Sequence, residues 1–158
     1  MPKCYMSFYN METNFAAEKT LGKLAKWLRI LGFDTICDPD IINPAESGRI
    51  LLTRTKRIKD EYTTDKLIFI ESDKPFKQLQ EVIKALGIVN EDIKTFTRCI
   101  RCNTEIKTID KNSIRSVIPD YVWENQDCFK ACIECKRIYW QGSHTKRSME
   151  IIKKLFES

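Results

Sequence analysis

Two pairs of cysteines carry the strongest chemical signal in this chain: Cys99-Ile100-Arg101-Cys102 and Cys132-Ile133-Glu134-Cys135. Two residues between the sulfurs of a pair allow a tight turn that presents both to one metal ion. Twenty-nine residues separate the pairs, enough for a hairpin or small sheet to return the second turn to the first. Four thiolates so arranged suit tetrahedral zinc, with bonds of about 2.3 Å. A closed four-sulfur shell leaves no position for water, so the ion is structural. Its binding supplies folding free energy to a module too small for a large core of its own. Two disulfides would need an oxidising compartment, and iron–sulfur clusters usually use other spacings. Cys128 stands outside both turns and reads as a small buried hydrophobe, and Cys4 and Cys37 read as non-ligands.

Around the pairs lie residues suited to nucleic acid. Tyr139, Trp140 and the single histidine, His144, adjoin Lys146 and Arg147, while Arg98, Arg101, Lys136 and Arg137 flank the cysteines. Aromatics that can stack on bases beside cations are what single-stranded RNA recognition uses. The plainer alternative is core packing for Tyr139 and Trp140 and a structural role for His144. Charge agrees with the first reading. Residues 1–93 hold fourteen Lys+Arg against fourteen Asp+Glu, so the net +5 lies wholly in residues 94–158. Four thiolates and one Zn²⁺ would lower it to about +3, still a bias toward phosphate.

These groups must be positioned by regular elements, and the apolar pattern supplies them. Leu21, Leu24, Leu28 and Leu31 make one helical stripe across residues 20–32, with Lys23, Lys26 and Arg29 largely on the other side and Gly32 as a stop. Residues 33–37, 49–53 and 66–71 are short apolar β-type runs, the last two suited to strands buried on both faces. Phe15-Ala16-Ala17 is a further candidate strand, and Asp38-Pro39-Asp40 a turn. A helix over 73–86 carries Phe76, Leu79, Ile83 and Leu86 on one face and ends at Gly87. Alternation of this kind predicts an α/β unit with a parallel sheet. The expected organisation is an N-terminal extension over 1–14, an α/β domain over 15–93, a ribbon over 94–145 and a C-terminal helix over 146–158 packed on one of the two units.

A chain of 158 residues, 42% hydrophobic and 31% charged, has globular composition. No apolar run approaches the roughly 20 residues that cross a bilayer, and the first residues lack a signal core, so the expected setting is the cytoplasm, away from membranes.

Residues 21–35 (LGKLAKWLRILGFDT), 48–54 (GRILLTR), 98–102 (RCIRC) and 132–144 (CIECKRIYWQGSH) together resemble the Mut-seven carboxy-terminal family of PIN-like RNase domains fused to a zinc ribbon. The likeness runs in order from about Phe15 to His144. It implies a three-layer PIN-like domain in which acids at the carboxyl ends of parallel strands hold magnesium or manganese. The metal activates water and offsets charge on the phosphodiester. Carried over residue by residue, the resemblance assigns Glu18, Asp40 and Asp73 to that site. Glu18 stands where the family usually has Asp. Leu52-Thr53-Arg54-Thr55 stands where the family reads Leu-Thr-Arg-Asp, so a carboxylate has become the neutral Thr55, followed by Lys56 and Arg57. Residues 41–47 replace a short helix, with Glu46 the one acid in that stretch. Glu18 and Asp73 also suit turn or capping roles.

Three functions follow as expectations. One is an RNA-binding protein that has lost catalysis and docks on a ribonucleoprotein such as the ribosome. Another is an active metal-dependent RNase. The last is a protein-interaction adaptor built on the ribbon.

Overall fold

The computed structural model describes residues 13–37, 48–62 and 64–157. The Asp38-Pro39-Asp40 turn, Glu46, Cys4 and nearly all of the N-terminal extension lie outside the described residues.

The first unit is a four-stranded, all-parallel sheet of β1 (Phe15–Ala17), β2 (Thr35–Cys37), β3 (Ile50–Thr53) and β4 (Leu67–Phe69), in the order β2-β1-β3-β4. Its helices are α1 (Gly22–Ile30), entered through a 3-10 turn at Lys19–Leu21, then α2 (Lys56–Glu61) and α3 (Pro75–Leu86). Phe15, Ala17 and Leu52 join Leu24, Leu28, Leu79 and Val82 in one core. Ala16 and Leu51 alternate to the opposite face and are also buried, as a parallel sheet covered on both sides requires. This explains why the strand runs read as continuously apolar.

Like the helix at Asp120–Asn125, helix α2 is an element that the sequence pattern missed. It buries none of its residues, so no apolar stripe announces it. α3 starts at Pro75, and Gly87 closes it at φ 62°, in the left-handed region that glycine occupies without strain. Asp73 does not cap this helix. It is exposed, while Ser72 Oγ accepts from Lys74 N–H at 3.1 Å and Glu81 accepts from the amides of Glu71 and Ser72 at 2.8 and 2.9 Å.

The second unit is an antiparallel sheet of β5 (Ile106–Ile109), β6 (Phe129–Cys132) and β7 (Ile138–Tyr139). Between β5 and β6 run a 3-10 turn at Lys111–Ile114 and α4 (Asp120–Asn125). Ile114, Ile118, Val122 and Phe129 form a small core there. The last helix, α5 (Ser143–Phe156), leaves the ribbon and returns to the first unit, where Ile152 and Leu155 enter the main core.

The joint between the units is tightly made. At the end of α1, the carbonyls of Leu31 and Ile30 accept from the amides of Lys94 and Phe96, both at 2.9 Å. These are acceptors that a helix terminus otherwise leaves unpaired. Gly32 sits there at φ 97°, and a Cβ on it would meet Lys94 O at 2.3 Å. Glycine is therefore required at this position by both conformation and space.

Candidate functional site: a four-sulfur centre and a carboxyl-edge acid

The two cysteine pairs fold as matching turns. In each, the first cysteine's carbonyl accepts from the residue after the second cysteine: Asn103 N to Cys99 O at 2.8 Å, Lys136 N to Cys132 O at 3.0 Å. Each first cysteine donates its own N–H five residues ahead, to Thr104 O at 2.8 Å and Arg137 O at 3.0 Å. Asn103 and Lys136 close the turns at φ 65° and 60°. All four sulfurs lie within 4.8 Å of one another, with Cys99 Sγ and Cys135 Sγ 3.7 Å apart. A tetrahedral ion with ~2.3 Å bonds sets its sulfurs about 3.8 Å apart, so the donor set fits one such metal.

Electrostatics point the same way. Burial pushes the Cys99 thiol up, yet hydrogen bonds from Tyr139, the N–H groups of Cys102 and Arg101, and Cys135 prevail and bring it down to about 6. Cys102 is pushed up to about 12, first by its hydrogen bond to Cys135 and then by desolvation and by Cys99. Four sulfurs this close cannot all ionise unless a cation sits among them.

The first turn is clamped to the α/β unit. Arg29 Nη1 donates to Ile100 O at 2.9 Å and to Arg101 O at 3.3 Å, and its Nε to Thr35 O at 2.8 Å. Asn103 Oδ1 accepts from Thr35 N at 2.9 Å, and its Nδ2 donates to Asp34 Oδ1 at 2.7 Å. Asp34 in turn holds Arg49 at 2.7 and 3.2 Å. Desolvation raises the Asp34 carboxyl, but the bonds from Arg49 and Asn103 outweigh it and hold it below the ordinary carboxylate range. Asn103 thus serves as partner for the open edge of β2.

The sequence-predicted RNA contacts divide on this frame. Arg101, Lys136, Arg137, His144, Lys146 and Arg147 are exposed. Arg98 is engaged in the joint, with Nε to Gly32 O at 3.1 Å, Nη1 to Asn103 O at 2.8 Å and a 3.8 Å ion pair to Glu105. Tyr139 is half-buried, its hydroxyl 3.0 Å from Cys99 Sγ. Burial, followed by that bond, raises the phenol's pKa. Trp140 packs on the ribbon core, 6.4 Å from Phe129. Cys128 corrects one expectation. It is exposed, because Phe129 beside it takes the inward position.

Glu18 follows β1 at the carboxyl edge of the parallel sheet. From β1 the chain order turns both ways, to β2 on one side and β3 on the other, and ligands in open α/β sheets bind outside such a point. Its carboxylate is ringed by donors. Thr20 Oγ1 donates at 2.7 Å, Arg54 N–H at 3.2 Å and Thr55 Oγ1 at 3.1 and 3.2 Å, with Thr53 Oγ1 making a short hydrogen bond. Thr55 itself is fixed by its amide on Thr53 Oγ1 at 3.0 Å. Partial burial raises the Glu18 carboxyl, and the bonds from Thr53, Thr20, Arg54 N–H and Thr55 outweigh it, so its pKa falls below the ordinary value. Asp73 lies in the segment after β4, exposed, and Asp40 is outside the described residues. Thr53 and Thr20 were not singled out from sequence. The one available signal was the Thr-Arg-Thr run beside an expected acid.

A parallel α/β sheet with an acid at its switch point is thus joined to a ribbon whose four cysteines could hold a metal ion. The chain matches the family model for the Mut7-C RNAse domain over residues 13–152, and it belongs to that family. No match was found among curated proteins or among solved structures.

Proposed function

We propose that this chain is an RNA-binding member of its family that holds zinc in the four-cysteine site and does not cut RNA. It works in the cytoplasm on a ribonucleoprotein such as the ribosome. The observation that carries the reading is the ring of donors on Glu18. In metal-dependent phosphodiester cleavage, carboxylates must offer lone pairs to magnesium or manganese. Here three hydroxyls and one amide already occupy the carboxylate, and Thr55 supplies one of them from the position where the family carries Asp. Cys99, Cys102, Cys132 and Cys135 would hold zinc as a closed structural centre, which suits the basic surface of Arg101, Lys136, Arg137, Lys146 and Arg147 for contact with phosphate. Thiolate ligation agrees with a reducing compartment.

The test uses the full chain. Metal content is measured by mass spectrometry, RNA affinity by fluorescence anisotropy over a salt series, and cleavage with magnesium and with manganese. The expected result is one zinc per chain, salt-sensitive binding and intact RNA. Isolation from its own cells is expected to bring a ribonucleoprotein particle with it.

One observation favours a second reading. Glu18 places a carboxylate just after β1 at the carboxyl edge of the sheet, where the resemblance implies a metal site. An active RNase would use Glu18 with Asp40 and Asp73. Cleavage that disappears in Glu18→Gln would establish it and overturn the first.

A further inference from the structure

Residues 1–93 carry no net charge as a whole, but the charge is sorted along them. Residues 13–57 hold eight Lys+Arg and five Asp+Glu, whereas residues 58–93 hold five and eight. Of the five acids in 13–57, Glu18 is taken by hydroxyls and Asp34 by Arg49 and Asn103. Asp38, Asp40 and Glu46 lie outside the described residues. The cations are differently placed. Lys23 and Lys26, three residues apart, share one face of α1, and Lys19 lies in the 3-10 turn that leads into it. All three are exposed, and no ion pair among the described residues includes them. The opposite face of α1 is the buried one, with Leu24, Ala25 and Leu28.

At its start the stripe meets the carboxyl edge of the sheet. Lys19 directly follows Glu18, whose N–H donates to Leu52 O at 3.1 Å and whose carboxylate accepts from Arg54 N–H. The exposed Arg54 and Lys56 therefore rise beside it from the neighbouring strand end. Arg57 differs, lying 3.6 Å from Glu61.

We infer that the lysine face of α1 and the Arg54–Lys56 segment form one RNA-backbone track that leads to the sheet's carboxyl edge, on the α/β unit and not on the ribbon. It rests on the RNA-binding reading above and adds a surface to it. The partner chemistry is a polyphosphate strand. Side chains spaced along a helix, with flexible ammonium tips and no ion pair among the described residues, suit repeated phosphates and carry no base recognition.

The test compares three full-length proteins for single-stranded RNA binding between 50 and 200 mM salt: the unaltered chain, K19Q/K23Q/K26Q, and K74Q/K77Q/K84Q as a control on and beside α3. Losing three phosphate contacts lowers the slope of log affinity against log salt by about 2, since each single-strand contact contributes about 0.7. The expected result is that loss in the α1 variant, an affinity drop of about tenfold or more at 50 mM salt, and no change in the control, with unaltered thermal melting in both. An unchanged slope in the α1 variant overturns the track while leaving RNA binding by the ribbon intact. Equal losses in both variants, or competition by polyglutamate as strong as by RNA, overturn it as bulk charge attraction. Absence of RNA binding by the unaltered chain overturns the underlying reading as well.

Discussion

The two candidate centres of this molecule are opposites in their balance of electron pairs. In the ribbon, four sulfurs face one another across less than 4.8 Å, all of them acceptors once ionised. At the sheet edge, one carboxylate is faced by the hydroxyls of Thr20, Thr53 and Thr55 and the amide of Arg54. The first arrangement calls for a cation. The second is complete as protein alone. The lesson is that residue type at a family position is less informative than the count of donors against acceptors that surround it. The acid at the sheet edge is enclosed by its neighbours.

The sharpest break of this comparison is removal of one sulfur. Cys132→Ser is expected to abolish metal retention and unfold the ribbon, since structural zinc supplies about 10–16 kcal/mol of apparent binding free energy in small domains. Metal analysis and amide exchange across residues 99–140 read it. Full protection without metal would refute the sulfur half of the contrast. Next in size is Thr55→Asp, which exchanges a donor for a second carboxylate beside Glu18. Repulsion and the lost hydroxyl bond should cost roughly 1–3 kcal/mol in chelator, and millimolar manganese should restore thermal stability. A variant indifferent to both would mean that the Glu18 ring is incidental.

A comparable effect is expected at the joint between the centres. Asn103→Ala leaves the fully buried Thr35 without its amide's acceptor and removes a donor from Asp34. The loss should be about 1–3 kcal/mol, seen as a lower urea midpoint with faster exchange at the Thr35 amide. If only the ribbon loosened, the two units would be less coupled than this hydrogen-bond chain implies.

How much of this was legible beforehand follows from range. The cysteine turns are local, each spanning four residues, and spacing alone predicted them. Helices α1 and α3 announced themselves through leucine stripes, and the parallel sheet through unbroken apolar runs. Helix α2 buries nothing and left no pattern. The ring on Glu18 draws on residues up to 37 positions away, and Asn103 reaches Asp34 across 69, so neither had a local signature. The aromatic pair shows the same limit. Composition left base stacking and core packing both open for it, and only the structure shows the Tyr139 hydroxyl on Cys99 and Trp140 against Phe129.

The smallest effect probes the sheet-edge site by proton. The Glu18 carboxyl has a lower pKa folded than the 4.5 of the free side chain, so its bonds stabilise the fold above that value. The contribution fades as pH falls through the depressed folded value, where the proton displaces one of the donors. Because the group is partly solvated, the amount is small beside the metal's. Thr55→Val removes one donor and nothing charged, so it should move the Glu18 titration upward, toward 4.5, and lessen the stability lost on acidification. Carboxyl NMR of Glu18 measures the midpoint directly, and urea denaturation from pH 3 to 7 measures the linked stability. A midpoint unmoved by Thr55→Val would place the tuning on Thr53, Thr20 and the Arg54 amide. The environment of Glu18 would then be independent of the residue at position 55.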